Sequence, residues 1–317
     1  MDTPDISGVS EGIKNSAKAN IDEQTADKEV LPACTIGISI SDSPDLDSLG
    51  FTNLHVQDTM VEITRYLLVN NCNLIYGGDL RKDGFTYIFS ELAKQYSNPK
   101  NYDTFRVANY FAWPIHINLS IVDDSEFKAN NIQVVKLPPP QGFSIAPNIF
   151  IKPDNLLNKV IWAKSLSEMR QTIAQSSNGR ILIGGQVMNY MGIIPGLVEE
   201  ALNSIRSNQP LYLCGAFGGA TKEIINAIFS GNTQYLTDDF QFTNEMYKSF
   251  YTHWNETETI KINYPELIKE FHDFGITRLS AGNGLNEEEN KRLALTQHIP
   301  EMIYLVMKGL KTKMLLG

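Results

Sequence analysis

Cysteine, histidine and basic charge are all scarce in this chain, and each shortage removes a class of function. The three cysteines, Cys34, Cys72 and Cys214, are far apart and lack metal-ligand spacing. Each lies in or beside an apolar run, so buried thiols are expected rather than ligands or bridges. Their scarcity and odd number fit a reducing, cytoplasmic setting. Of the five histidines, His253, His272 and His298 are scattered without ligand spacing, and His116 sits between two isoleucines, where a packed structural role is expected. No metal and no cofactor is expected. Lys plus Arg number 27 against 36 Asp plus Glu, a formal charge of −9. That balance argues against broad binding of nucleic acid or of an anionic membrane, while leaving room for a local basic pocket. No apolar run approaches membrane-spanning length. Residues 1–30 are polar and carry no apolar h-region, so no secretory leader is expected.

What is present is enough core for one large domain or two ordinary ones: 317 residues, 42% hydrophobic. Residues 1–30, rich in Asp, Glu, Ser, Lys and Asn, read as a disordered or loosely attached tail. Cys34 to Ile40 reads as a buried strand, followed by Ser41-Asp42-Ser43-Pro44. A helix is expected from about Asn53 to Asn70, with Val56, Met60, Ile63 and Leu67 on one face. Leu74-Ile75-Tyr76 ends a second strand at Gly77-Gly78. A charged loop of Asp79, Arg81, Lys82 and Asp83 follows. Phe85, Ile88, Phe89, Leu92 and Tyr96 then mark another helical face. Between 97 and 150, Phe111 to His116 and Ile132 to Leu137 look like strands. A helix over 155–177 leads to a strand ending on Gly184-Gly185. Pro195 opens a helix whose Glu199 and Glu200 suit the positive end of its dipole. Pro210 to Cys214 is a further strand, ending in Gly215-Ala216-Phe217-Gly218-Gly219. Beyond about residue 230 the strand signal fades, and 242–254, 264–274 and 287–308 read as helices, the second ending at Gly275. The expected fold is α/β: a Rossmann-like, mostly parallel sheet flanked by helices over 31–230, with a helical extension, 231–317, packed on it.

Glycine pairs thus follow three apolar strands and precede three helices. Glycine lets the chain turn sharply and lets a ligand approach the backbone. The first amides of a helix have no partner within it and carry partial positive charge, which favours an anion. In a parallel sheet with helical crossovers the strand ends gather on one edge, where ligands sit. The candidate ligand-binding residues are therefore Ser39, Ser41, Asp42, Gly77, Gly78, Asp79, Arg81, Gly184, Gly185, Gly215, Gly218 and Gly219. Arg81 could grip a phosphate with two bonds. The plainer alternative at each is a strand-to-helix turn with a solvated charge cluster.

Leu74-Ile-Tyr-Gly-Gly-Asp79 resembles the strand-Gly-Gly segment of the SLOG superfamily, the Rossmann-like group that includes the LOG phosphoribohydrolases, the Smf/DprA proteins and the N-terminal domains of TRPM channels. Gly219-Ala-Thr-Lys-Glu223 is similar to the LOG Gly-Thr-x-x-Glu, and Ser39-Ile-Ser41 to the Ser-rich loop after the first strand. The likeness covers roughly 34–230 and is nearest to SLOG proteins of bacterial conflict and nucleotide signalling, some of which bind a cyclic ADP-ribose. The LOG signature departs here: Gly215-Ala216-Phe217 stands for Pro-Gly-Gly, Ala220 for the Thr, and the second motif's Gly-Leu-Met-Gly is lost. The resemblance implies nucleotide binding with a degraded enzymatic motif. The first expectation is a cytoplasmic sensor of an ADP-ribose-like nucleotide ligand, with a homo-oligomer or an effector as further partner. The second is an enzyme that splits a nucleotide N-glycosidic bond, with Glu223 as carboxylate, Arg81 on phosphate and Asp79 as a weaker second carboxylate. The third is a partner-binding or structural protein whose pocket is vestigial.

Overall fold

The structure is a computed structural model that describes residues 31–78, 80–81, 84–96 and 105–316. The expected tail, 1–30, and the loop residues Asp79, Lys82 and Asp83 lie outside the described residues. Six strands, β1 (Cys34–Ser41), β2 (Cys72–Gly77), β3 (Val107–Phe111), β4 (Ile132–Lys136), β5 (Gly179–Gly184) and β6 (Leu211–Cys214), lie in the order β4-β3-β2-β1-β5-β6. Every neighbouring pair is parallel. Parallel neighbours need a crossover, usually a helix. Here the crossovers carry α1 (Asn53–Val69), α2 (Phe85–Tyr96), α3 (Ile121–Ala129), α4 (Leu156–Gln175) and α5 (Gly196–Arg206), and α6 (Gly219–Ser230) follows β6.

Side-chain alternation along the strands divides the interior into two faces. Ile36, Ile38 and Ile40 of β1, Leu74 and Tyr76 of β2, Ile181 and Ile183 of β5 and Tyr212 and Cys214 of β6 join one core with α1 and α2. The intervening residues point the other way. Leu182, Leu211 and Leu213 pack with α5 and α6, and Ile75 and Ala108 meet Leu166, Met169 and Ile173 of α4. Burial on both faces explains why β5 and β6 read as continuous apolar runs.

The C-terminal helices are α7 (Asp238–Gln241), α8 (Glu245–Thr257), α9 (Tyr264–Asn283), α10 (Glu287–Leu295) and α11 (Ile299–Leu316). Phe250, Trp254 and Phe271 of α8 and α9 belong to the core with α5 and α6. Met302, Leu305 and Val306 of α11 belong to the opposite one. The extension therefore wraps the β6 edge. Asn283, fully buried, donates from Nδ2 to the Leu211 carbonyl at 2.9 Å, and its own carbonyl accepts from the Tyr212 hydroxyl at 2.9 Å. An edge strand's exposed backbone is thereby supplied with partners.

Several expected elements shift. The expected strand from Phe111 to His116 is instead the end of β3 at Phe111, followed by a short 3-10 turn, Ile115–Asn118. His116 there meets the Leu137 carbonyl through Nε2 at 2.7 Å, a packing role. Gly275, with φ 66° and ψ 167°, does break the helical run that begins at Tyr264, but a second run continues across the kink to Asn283 as the rest of α9. The single helix expected over 287–308 is two, α10 and α11. Helix α3 had no clear sequence signal, because only Phe127 is buried while Ile121 and Val122 face solvent. All three cysteines are buried free thiols, and burial pushes the Cys214 thiol up to about 12.

Candidate functional site

Strands β2, β1, β5 and β6 are consecutive in the sheet and run the same way, so their last residues, Gly77, Ser41, Gly184 and Cys214, stand side by side on one edge. Ser41 pairs with Gly184, and Ile183 with Cys214. The chain leaves β1 toward β2 on one side, while β5 lies on the other. The crevice between β1 and β5 is therefore the topological switch point of the sheet, where open α/β folds bind ligands. All three expected glycine pairs reach this edge.

The β5–β6 half of the edge is stitched shut. The Gly185 N–H donates to the Ser41 carbonyl at 3.0 Å, and the Gln186 N–H to Ser41 Oγ at 3.2 Å. The Ala220 N–H, at the start of α6, donates to the Gly185 carbonyl at 2.9 Å. Gly219 has φ +63°, and a Cβ there would fall 2.2 Å from the Gly185 oxygen. Only glycine fits that approach. The first amide of α6, the Gly219 N–H, donates to Asp45 Oδ2 at 2.7 Å. Asp45 Oδ1 accepts from the Tyr235 hydroxyl at 2.9 Å, and its own N–H donates to Ser43 Oγ at 3.2 Å. A carboxylate from the β1–α1 loop thus caps the amide that sequence reasoning reserved for a phosphate, and it suits the positive end of α6. Burial, then Asp45, raises the Tyr235 phenol above its ordinary value.

Glu223 belongs to the same closure. Its Oε2 accepts from the N–H groups of Gln234 and Tyr235 at 2.6 and 2.7 Å, and its side chain is nearly fully buried in the second turn of α6. The carboxylate ties down the segment that carries Tyr235. Gly215 serves packing as well: a Cβ would lie 2.5 Å from the Ala294 carbonyl of α10. Gly218 is tight against Asp45, whose Oδ2 would sit 2.5 Å from an added Cβ.

Among the described residues, the β1–β2 half is open. Ser41 and Gly77 are half-buried. Arg81 Nη1 lies 3.4 Å from Asp42 Oδ2, with side chains 56% and 38% exposed. An ion pair this long and this wet is weak. Gly78 donates its N–H to the Tyr110 carbonyl at 2.9 Å, and Phe111 packs where its side chain would be. Asp79 lies outside the described residues.

Ser39 stands apart from this edge. It is 2% exposed, and its Oγ accepts from Arg180 Nη1 at 2.8 Å. Arg180, itself 1% exposed, also pairs with Glu200 Oε2 at 3.0 Å. Arg170 of α4 pairs with Glu199 at 2.5 Å and lies 3.6 Å from Glu200. Burial pulls the Arg180 guanidinium below its ordinary value while Glu200 pulls the other way. Added side chains at Gly192 and Gly196 would each come within 2.7 Å of the Arg170 guanidinium. The loop from β5 to α5 is therefore folded around Arg170. Sequence reasoning gave Glu199 and Glu200 to the helix dipole and passed over both arginines. The signal was an arginine at the head of the apolar strand β5 and another among the apolar residues of α4, since a buried guanidinium requires a carboxylate.

No helix among the described residues is long and apolar enough to cross a membrane. No curated protein matches the chain. A family model described as SLOG cluster2 matches residues 30–293, well past the 34–230 expected from motifs and through α9 into α10. With its parallel sheet, its glycine-rich strand ends on one edge and this match over most of its length, the chain belongs to the SLOG superfamily, in the group described as SLOG cluster2.

Proposed function

We propose that the protein is a receptor for a nucleotide-derived small molecule, ADP-ribose-like in chemistry, held at the open half of the sheet edge. Arg81 grips phosphate, Asp42 and Ser41 accept and donate hydrogen bonds to ribose hydroxyls, and the Gly77 backbone allows close approach. The observation that carries this reading is the β1–β2 end of the edge, beside the switch point, where Ser41 and Asp42 stand partly exposed with Arg81 3.4 Å from Asp42. Family membership supports the broader statement that the ligand is nucleotide-related. Binding rather than turnover is favoured because Glu223, the carboxylate best placed by sequence, is occupied with the Gln234 and Tyr235 amides.

A thermal-shift panel of ADP-ribose, its cyclic isomers, NAD and nucleoside monophosphates tests the reading. At least one raises the melting temperature in a concentration-dependent way, as a ligand that binds only the folded state must. A flat response across the panel removes it.

A further inference from the structure

A cavity of about 250 Å3 opens where the β5–α5 loop meets the start of α8. We propose that it is the subsite for the planar base of the ligand; this rests on the nucleotide reading above and extends it. Its walls are Tyr190, Tyr247 and Phe250 together with Met188, Met191 and Met246. Three of the nine methionines in the chain gather here. Aromatic faces stack on any base, and methionine thioethers pack well against rings.

Size selects the occupant. About 250 Å3 is just under the roughly 300 Å3 at which sites for whole small molecules begin. A ring system fits and a dinucleotide does not. The cavity is tied to the sheet edge through the β5–α5 loop: Met188 follows Gly185 by three residues, so their Cα atoms are at most about 11 Å apart.

The cavity is also held in advance. Gln241 Nε2 donates to the carbonyls of Val187 and Tyr235 at 2.9 and 2.8 Å, and its Oε1 accepts from the Tyr190 hydroxyl at 2.7 Å. The Tyr190 and Tyr247 hydroxyls both meet that of Tyr264, at 2.9 and 2.7 Å. A wall fixed before binding loses little freedom on binding. At the rim, Asn244 Oδ1 accepts from the N–H groups of Met246 and Tyr247, and its Nδ2 donates to Asn189 Oδ1 at 3.1 Å. That arrangement leaves the Asn189 Nδ2 donors with no protein acceptor among the described residues, suited to the acceptor atoms on a base edge. Lys159 lines the mouth, and no carboxylate among the described residues pairs with it. In a chain of charge −9 this leaves a local attraction for an anionic ligand.

The test uses the full chain with isotope-labelled methionine methyls, assigned by single Met→Leu variants, and calorimetry in parallel. Adenosine and AMP are expected to shift the Met188, Met191 and Met246 methyls. Ribose 5-phosphate is expected to bind without shifting them. Met246→Glu, at a residue that is 63% exposed and so tolerant of change, is expected to weaken AMP roughly tenfold and to leave ribose 5-phosphate unchanged. AMP that binds with the three methyls unmoved overturns the base subsite and leaves the edge reading standing. Adenosine that shifts them while ribose 5-phosphate fails to bind upholds the subsite and overturns the edge. Failure of both adenosine and AMP to move these methyls or to bind overturns the subsite; binding of ribose 5-phosphate then decides the edge separately.

Discussion

The two halves of one sheet edge use the same sequence device for opposite ends. Beside β5 and β6, Gly184-Gly185 and Gly218-Gly219 let three loops approach until backbone meets backbone, and Asp45 fills the α6 amide from within. Beside β1 and β2, Gly77-Gly78 borders a wet Asp42–Arg81 pair. A glycine pair after a strand therefore marks close approach but does not say what approaches. It was another loop on one side, and a ligand is proposed on the other.

This contrast has graded consequences. Gly219→Ala forces an L side chain into φ +63° and puts its Cβ 2.2 Å from the Gly185 oxygen. A loss of about 3 kcal/mol or more is expected by chemical denaturation, and a variant as stable as the parent would break the claim of a closed half. Asp45→Ala removes the acceptor of the Gly219 amide and the Tyr235 hydroxyl. It is expected to cost about 1–2 kcal/mol while leaving nucleotide affinity within about twofold of the parent, an order of change well under the tenfold that 1.4 kcal/mol represents. Tighter binding in that variant would instead move the phosphate to the start of α6, with Asp45 as its internal competitor. Gly77→Ala is crowded by the flexible end of Met169 alone, whose Cε would lie 3.1 Å from the new Cβ, while Ile173 stands at an ordinary 3.6 Å. A cost of about 1 kcal/mol or less is expected, the smallest of the three.

How much of this could be read in advance follows from the range of each interaction. The strands other than β3 and the helices up to α6 other than α3 were legible because apolar periodicity is local, and the parallel sheet followed from their alternation. The glycine pairs were legible for the same reason, down to the edge they share. What escaped depends on contacts between distant residues. Asp45 and Gly219 are 174 positions apart, and nothing near either one names the other. Ser39 and Ser41 both read as hydroxyls at a strand end, yet Ser39 is bonded to Arg180, 141 positions away. Which serine faced the crevice depended on the β1–β5 register and on a buried guanidinium. The cavity proposed for the base was invisible too, since most of its walls come from a loop at 188–192 and from α8.

Calorimetric titration of AMP and ADP-ribose into the parent and the Arg81→Ala variant tests the central claim most directly. Arg81 is on the surface, so its removal is expected to leave stability within about 0.5 kcal/mol and to weaken binding at least about tenfold, the loss of one charge-assisted phosphate contact. Saturable binding by the parent that fades in the variant is the predicted result. Equal affinity in the two proteins, or no heat from either ligand with the parent, would contradict it.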